Sequence, residues 1–88
     1  MIIKHAKLLI LLDEQLHDYK LTVREERIIK LWIRDFDYEE IAAALSITDS
    51  TVRKHIDSVY ARLGVYSRSD LILHIIGSIV AKNTRCSI

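Results

Sequence analysis

The sequence predicts an all-α fold, and three observations carry that expectation. The 88 residues include no proline and only two glycines, so strand-and-turn architectures lack their punctuation. Apolar residues recur at helical spacing in five separate stretches. Residues that cap helix starts stand at the head of four of them: Thr22 with Glu25, Asp37, Thr48 or Asp49, and Ser67 with Asp70. Half the residues are apolar and 28% are charged, which fits one small folded domain and not a disordered chain. At this length the core is modest, so burial against a partner can matter.

The first stretch covers residues 2–17. Ile2, Ala6, Leu9 and Leu16 lie along one side, and Ile3, Ile10 and Leu12 widen it. This apolar surface is too broad for a helix with one wet face and needs a second surface to cover it, in this chain or another. A signal peptide is not expected, because the apolar run at residues 8–12 is short, Asp13 and Glu14 follow at once, and no small-residue cleavage site appears. No apolar stretch approaches the roughly 18 residues of a membrane span. The single cysteine, Cys86, excludes an intramolecular disulfide. We therefore expect a cytoplasmic protein without a membrane partner.

The second stretch starts at Thr22, where Thr22 and Glu25 form a capping box and Leu21 is placed to staple onto the next turn. Ile28, Ile29, Leu31, Trp32 and Ile33 give it an apolar face, and Asp35, tolerant of left-handed backbone, ends it. The third is short, residues 38–45, capped by Asp37, with Ile41, Ala42 and Leu45 at helix spacing. The fourth runs over residues 49–63 and stops at Gly64, the residue type that best closes a helix in left-handed backbone. The fifth begins after Ser67 and is apolar on two sides. Ile72, Ile75 and Ile79 can face the core, while Leu73, Ile76 and Val80 fall elsewhere. A helix apolar on two sides buries both, so Leu73, Ile76 and Val80 are expected to dimerise unless the first stretch covers them. The expected division is residues 1–20 as a helix for packing or oligomerisation, 21–82 as the main domain, and 83–88 as a tail.

The third and fourth stretches, two short helices joined by a tight turn, have the layout of a helix-turn-helix. In such a reader the first helix braces the second, and the second exposes its N-terminal turns to the major groove. Val52, Ile56, Val59 and Leu63 form the stripe that holds the fourth helix down. Ser50, Thr51, Arg53, Lys54 and Asp57 are left facing outward. Hydroxyls and free N–H groups at the helix start suit phosphate oxygens, and Arg53 and Lys54 can reach guanine edges or phosphates. With Thr48 at the head of the helix and Arg62 near its end, these residues form the expected DNA-binding set. The net charge of +1 lacks a global basic footprint, but residues 53–68 carry Arg53, Lys54, Arg62 and Arg68 against Asp57 alone.

The segment "LTVREERIIKLW…YEEIAAALSITDSTVRKHIDSVYARLGVYSRSDL" resembles the LuxR-type (GerE-like, NarL/FixJ-type) DNA-binding domain of bacterial transcription regulators. The matching residues include Leu21, Thr22, Arg24, Glu25, Glu40, Ile41, Ala42, Leu45, Ile47, Thr51, Val52, Arg53, His55, Val59, Leu63, Gly64, Val65, Ser67 and Arg68. "YEEIA" is also similar to the sigma-factor region that reads the −35 promoter element, but "LGVYSR" and His55 favour the LuxR type.

The resemblance implies a four-helix LuxR-type helix-turn-helix domain, here preceded by one extra N-terminal helix. It also implies a recognition helix at residues 49–63, homodimerisation through the last helix and an inverted-repeat site in double-stranded DNA. It makes Thr51 a phosphate contact and turns Arg53, Lys54 and Asp57 toward bases. It makes Glu25 and Arg68 similar to a structural pair between the first domain helix and the loop after the recognition helix. Thr22, His55 and Gly64 are read as structural.

Some positions depart from the family pattern. Asp35, Asp37, Tyr38 and Glu39 stand where Gly, Ser, Asn and Lys are usual; Asp57 is also unusual, and Ser58 replaces a common Asn. Each lost phosphate contact weakens binding and flattens its salt dependence. Only about 20 residues precede the matching segment, too few for a receiver or ligand-binding domain. The expected function is therefore a stand-alone, homodimeric, sequence-specific transcription regulator. The alternative is a helix-turn-helix interaction module, an anti-activator or adaptor, that binds a related partner regulator. No enzyme activity and no cofactor are expected, because His5, His17, His55 and His74 are scattered and no metal-ligand spacing or nucleophile–base pair is present.

Overall fold

The structure, a computed structural model, describes residues 2–87, with side chains from residue 7 to residue 81. Helix α1 (Ile2–Leu16) passes through a 3₁₀ turn (His17–Tyr19) into α2 (Val23–Ile33), α3 (Tyr38–Leu45), α4 (Asp49–Leu63) and α5 (Arg68–Ser87). Among the described residues there is no strand.

Local side-chain chemistry sets each helix start. The Thr22 hydroxyl accepts from the Glu25 N–H at 3.1 Å, and the Glu25 carboxylate accepts from the Thr22 N–H at 3.0 Å. Asp37 and Glu40 make the same reciprocal pair at 2.8 and 2.9 Å. Of the two candidates for α4, Thr48 is the cap, accepting from the Thr51 N–H at 3.2 Å. At α5 the Ser67 hydroxyl accepts from the Asp70 N–H at 3.1 Å. Asp70 turns back to the N–H of Tyr66 instead of Ser67, at 3.2 Å. Such a cap contributes about 1 kcal/mol. The helix-ending turns use left-handed backbone at Lys20, Asp35, Ser46 and Gly64. A Cβ at Gly64 would meet no atom within 4 Å, so its φ of +70°, and not crowding, is what glycine serves there.

One core draws on every helix. Leu12 and Leu16 of α1, Ile28 and Ile29 of α2, Ile41 of α3, Val52, Ile56 and Val59 of α4, and Leu71 and Ile75 of α5 are fully buried. Helix α1 lies against α5, so the cover its C-terminal half needs comes from this chain. Asp13 and Arg34 make a two-point ion pair at 3.1 and 2.8 Å that ties α1 to the end of α2. The Tyr19 and Ser78 hydroxyls, 2.8 Å apart, join the 3₁₀ turn to α5.

The buried edge of α1 centres on Leu12, Gln15 and Leu16, with Leu9 only partly covered. Leu8, Ile10 and Leu11 remain exposed. Ile2, Ile3 and Ala6, expected on its apolar surface, lie outside the described side chains. On α5, Leu71 and Ile75 go deepest, Ile72, Ile76 and Ile79 pack partly against the core, and Leu73 and Val80 stay in solvent. The helix continues to Ser87, so residues 83–87, expected as a tail, prolong it.

Candidate nucleic-acid interface

Helices α3 and α4 meet across residues 46–48. The Ile47 N–H donates to the Ala42 carbonyl at 3.0 Å and closes α3. Val52, Ile56 and Val59 are 0% exposed, which fixes the rotation of α4 about its own axis. The opposite face is thereby turned outward. Ser50, Arg53, Lys54 and Asp57 are exposed, Thr51 is half-exposed, and these five residues line one shallow open depression. Among the described residues, no other helix covers it. At its head the Thr48 hydroxyl lies 2.9 Å from that of Thr51 and 3.2 Å from that of Ser50. Three hydroxyls are thus gathered at the positive end of a helix, where anionic oxygens are favoured.

The Arg53 guanidinium lies over the Tyr38 ring, 4.3 Å from its centroid. Tyr38 stacks on Trp32 with centroids 5.0 Å apart and planes at 21°. The Trp32 indole N–H donates to the Tyr60 hydroxyl at 2.7 Å, and the Arg68 guanidinium lies 3.6 Å from the Trp32 ring centroid. Burial raises the Tyr60 hydroxyl above its ordinary pKa, even though the Trp32 bond opposes it. Asp37, Glu39 and Asp49 share a small concavity with Tyr38 and Arg53, so the local field is of mixed sign.

Arg62 does not join the depression. Its guanidinium pairs with the carboxylate of Glu25, which is buried. Burial by itself would raise the Glu25 pKa, but Arg62 and the Thr22 N–H hold it below the ordinary carboxylate value. A buried carboxylate needs such a partner, and Arg62 supplies it from the last turn of α4.

Residues 19–75 match the family of bacterial regulatory proteins of the luxR type, GerE. The chain belongs to this family. Spore germination protein GerE of Bacillus subtilis is 38% identical over 56 residues, covering 64% of this chain and 76% of that protein. A relative from Aeromonas salmonicida, named as an HTH-type transcriptional regulator in the exeN 3′ region, is 40% identical over 52 residues. That match covers 59% of this chain and only 26% of the relative. No solved structure matches the chain significantly. The LuxR/GerE family is one of DNA-binding transcription regulators, and among the described residues no single helix is long and apolar enough to cross a membrane.

One expectation drawn from the LuxR-type resemblance needs correction. Glu25 and Arg68 do not pair with each other. Glu25 takes Arg62, while Arg68 pairs with Asp35 and donates to the Phe36 carbonyl at 2.8 Å. Asp35, where the family usually has glycine, offers a carboxylate beside the α2–α3 turn, and Trp32 offers a ring face for the same guanidinium. His55 sits half-buried beside the apolar stripe. The aromatic support of Arg53 was not foreseen. Its visible signal was Tyr38, a departure from the usual family residue at the first position of α3.

Proposed function

We propose that this LuxR-type chain is a sequence-specific regulator that binds an inverted-repeat duplex as a homodimer, with α4 in the major groove of each half-site. One observation carries the reading: α4 is fully anchored through Val52, Ile56 and Val59, while Ser50, Arg53, Lys54 and Asp57 on its N-terminal half are open to solvent. In this reading Thr51 and the hydroxyls around it meet phosphate, and Arg53 and Lys54 reach base edges or phosphate. Asp57 accepts from a cytosine amino group. Thr48 shapes the N-terminus as its cap, and Arg62 holds the helix in place through Glu25. Leu73 and Val80, 66% and 55% exposed on α5, form the dimer contact with Ile76.

Selection of bound sequences from random duplex DNA tests this directly. The expected product is a pair of inverted half-sites. Arg53→Ala and Lys54→Ala should each weaken binding to it, by about 1–3 kcal/mol where a bidentate base contact is lost, with the domain still folded. A folded protein that enriches no sequence and binds no duplex at low salt refutes the reading. Exposed Glu39 and Asp57 favour a second reading, in which the same fold docks on a related regulator. Tight duplex binding with a steep salt dependence refutes that one.

A further inference from the structure

We propose that Tyr38 is a positioning residue for base readout, acting through Arg53; this rests on the reading of α4 as the DNA-contacting helix. The argument begins with the cost of fixing an arginine. A free guanidinium on a flexible stem loses rotamer freedom when it docks, and that loss weakens binding. Stacking on an aromatic ring occupies only the face of the group and leaves the N–H donors along its edge available. Tyr38 therefore holds Arg53 without consuming the donors that would meet a guanine edge.

The platform is itself held. Trp32 of α2 backs Tyr38, and Tyr60 of α4 and Arg68 at the start of α5 contact Trp32. Residues from four helices thus meet beneath one exposed arginine. Asp37, Glu39 and Asp49 line the same side and attract the cation, but a carboxylate that paired with Arg53 would occupy N–H donors, whereas the ring occupies only the face. Base discrimination at the position read by Arg53 thus depends on a residue in the other helix of the motif.

The experiment measures discrimination: the affinity for the selected duplex relative to one altered at the base pair most sensitive to Arg53→Ala. Tyr38→Leu should lower this ratio about two- to fivefold, the worth of an exposed cation–π contact. Placed in the Arg53→Ala background, Tyr38→Leu should change nothing further. Tyr38→Phe, which keeps the ring, should retain the wild-type ratio. The inference is overturned if Tyr38→Leu acts equally with and without Arg53, or if Tyr38→Phe loses as much as Tyr38→Leu.

A measurement on the free wild-type protein makes the test independent of how the variants fold. The Arg53 side-chain NMR signals should be displaced upfield by the Tyr38 ring, and ordinary shifts overturn the inference. A wild-type protein that binds no duplex refutes the DNA reading and this inference with it. Duplex binding that is sensitive to Arg53→Ala but indifferent to Tyr38→Leu overturns this inference alone.

Discussion

Replacing Leu16 with alanine should melt the domain far below the wild type, because α1 is built into its core. Leu16 is 0% exposed and joins the same cluster as Ile28, Ile56 and Leu71. Removing a fully buried leucine side chain costs about 2–5 kcal/mol. A chain of 88 residues has a total stability on the order of 4–13 kcal/mol, so the loss is a large part of the whole. With an unfolding entropy of about 2.1 cal/mol/K per residue, each kcal/mol lowers Tm by about 5 °C, so the drop should be about 10–25 °C. Leu11, in the same helix but 47% exposed, gives the control: Leu11→Ala should stay within about 3 °C. Thermal circular dichroism at fixed protein concentration measures both. A Leu16→Ala protein that melts with the wild type would mean that α1 is an appendage to the domain, and the account of what covers its apolar face would be wrong.

Glu39→Lys should tighten duplex binding and steepen the slope of log K against log salt by about 0.9 if the new cation meets one phosphate, as measured by fluorescence polarisation at several salt concentrations. Glu25 should show itself on acid titration. Its pKa is depressed in the folded state, so its contribution is present in full above the ordinary value of 4.5 and is lost as pH falls below that value through the native one. Glu25→Gln should flatten that acid limb and cost about 1–2 kcal/mol at neutral pH, a moderate figure because Arg62 is partly solvated; urea unfolding at a series of pH values reads both. Leu73→Asp and Val80→Asp should each leave a folded monomer by sedimentation and weaken binding to a two-half-site duplex more than to a single half-site.

The helices were legible because the signals that make them are local. Thr22 and Glu25, Asp37, Thr48, Ser67 with Asp70, and Gly64 act on backbone within a few residues of themselves. The anchored stripe of α4 was legible for the same reason, since Val52, Ile56 and Val59 repeat at the pitch of the helix. Long-range pairings were not. Whether Glu25 meets Arg62 or Arg68 depends on how α2, α4 and the start of α5 approach one another, and both arginines are compatible with its charge. The edge of α1 that carries Leu9, Leu12 and Leu16 was legible from their three- and four-residue steps, but the unbroken apolar run at residues 8–12 hid the fact that Leu8, Ile10 and Leu11 would stay exposed. The stack of Arg53, Tyr38 and Trp32 joins three helices and leaves no trace in spacing. Tyr38 was visible only as a residue the family does not usually place there.

The open space around Gly64 has a consequence of handedness. Its φ of +70° is strained for an L-residue even though an L side chain's Cβ would meet no atom there, whereas the same φ is ordinary for a mirror-image residue. D-alanine, installed there by peptide ligation, would adopt this backbone conformation without the strain an L-residue meets. It would also restrict the unfolded chain, so the semisynthetic protein should outlast the natural one by about 0.4–1 kcal/mol, whereas L-alanine at the same position should lose stability.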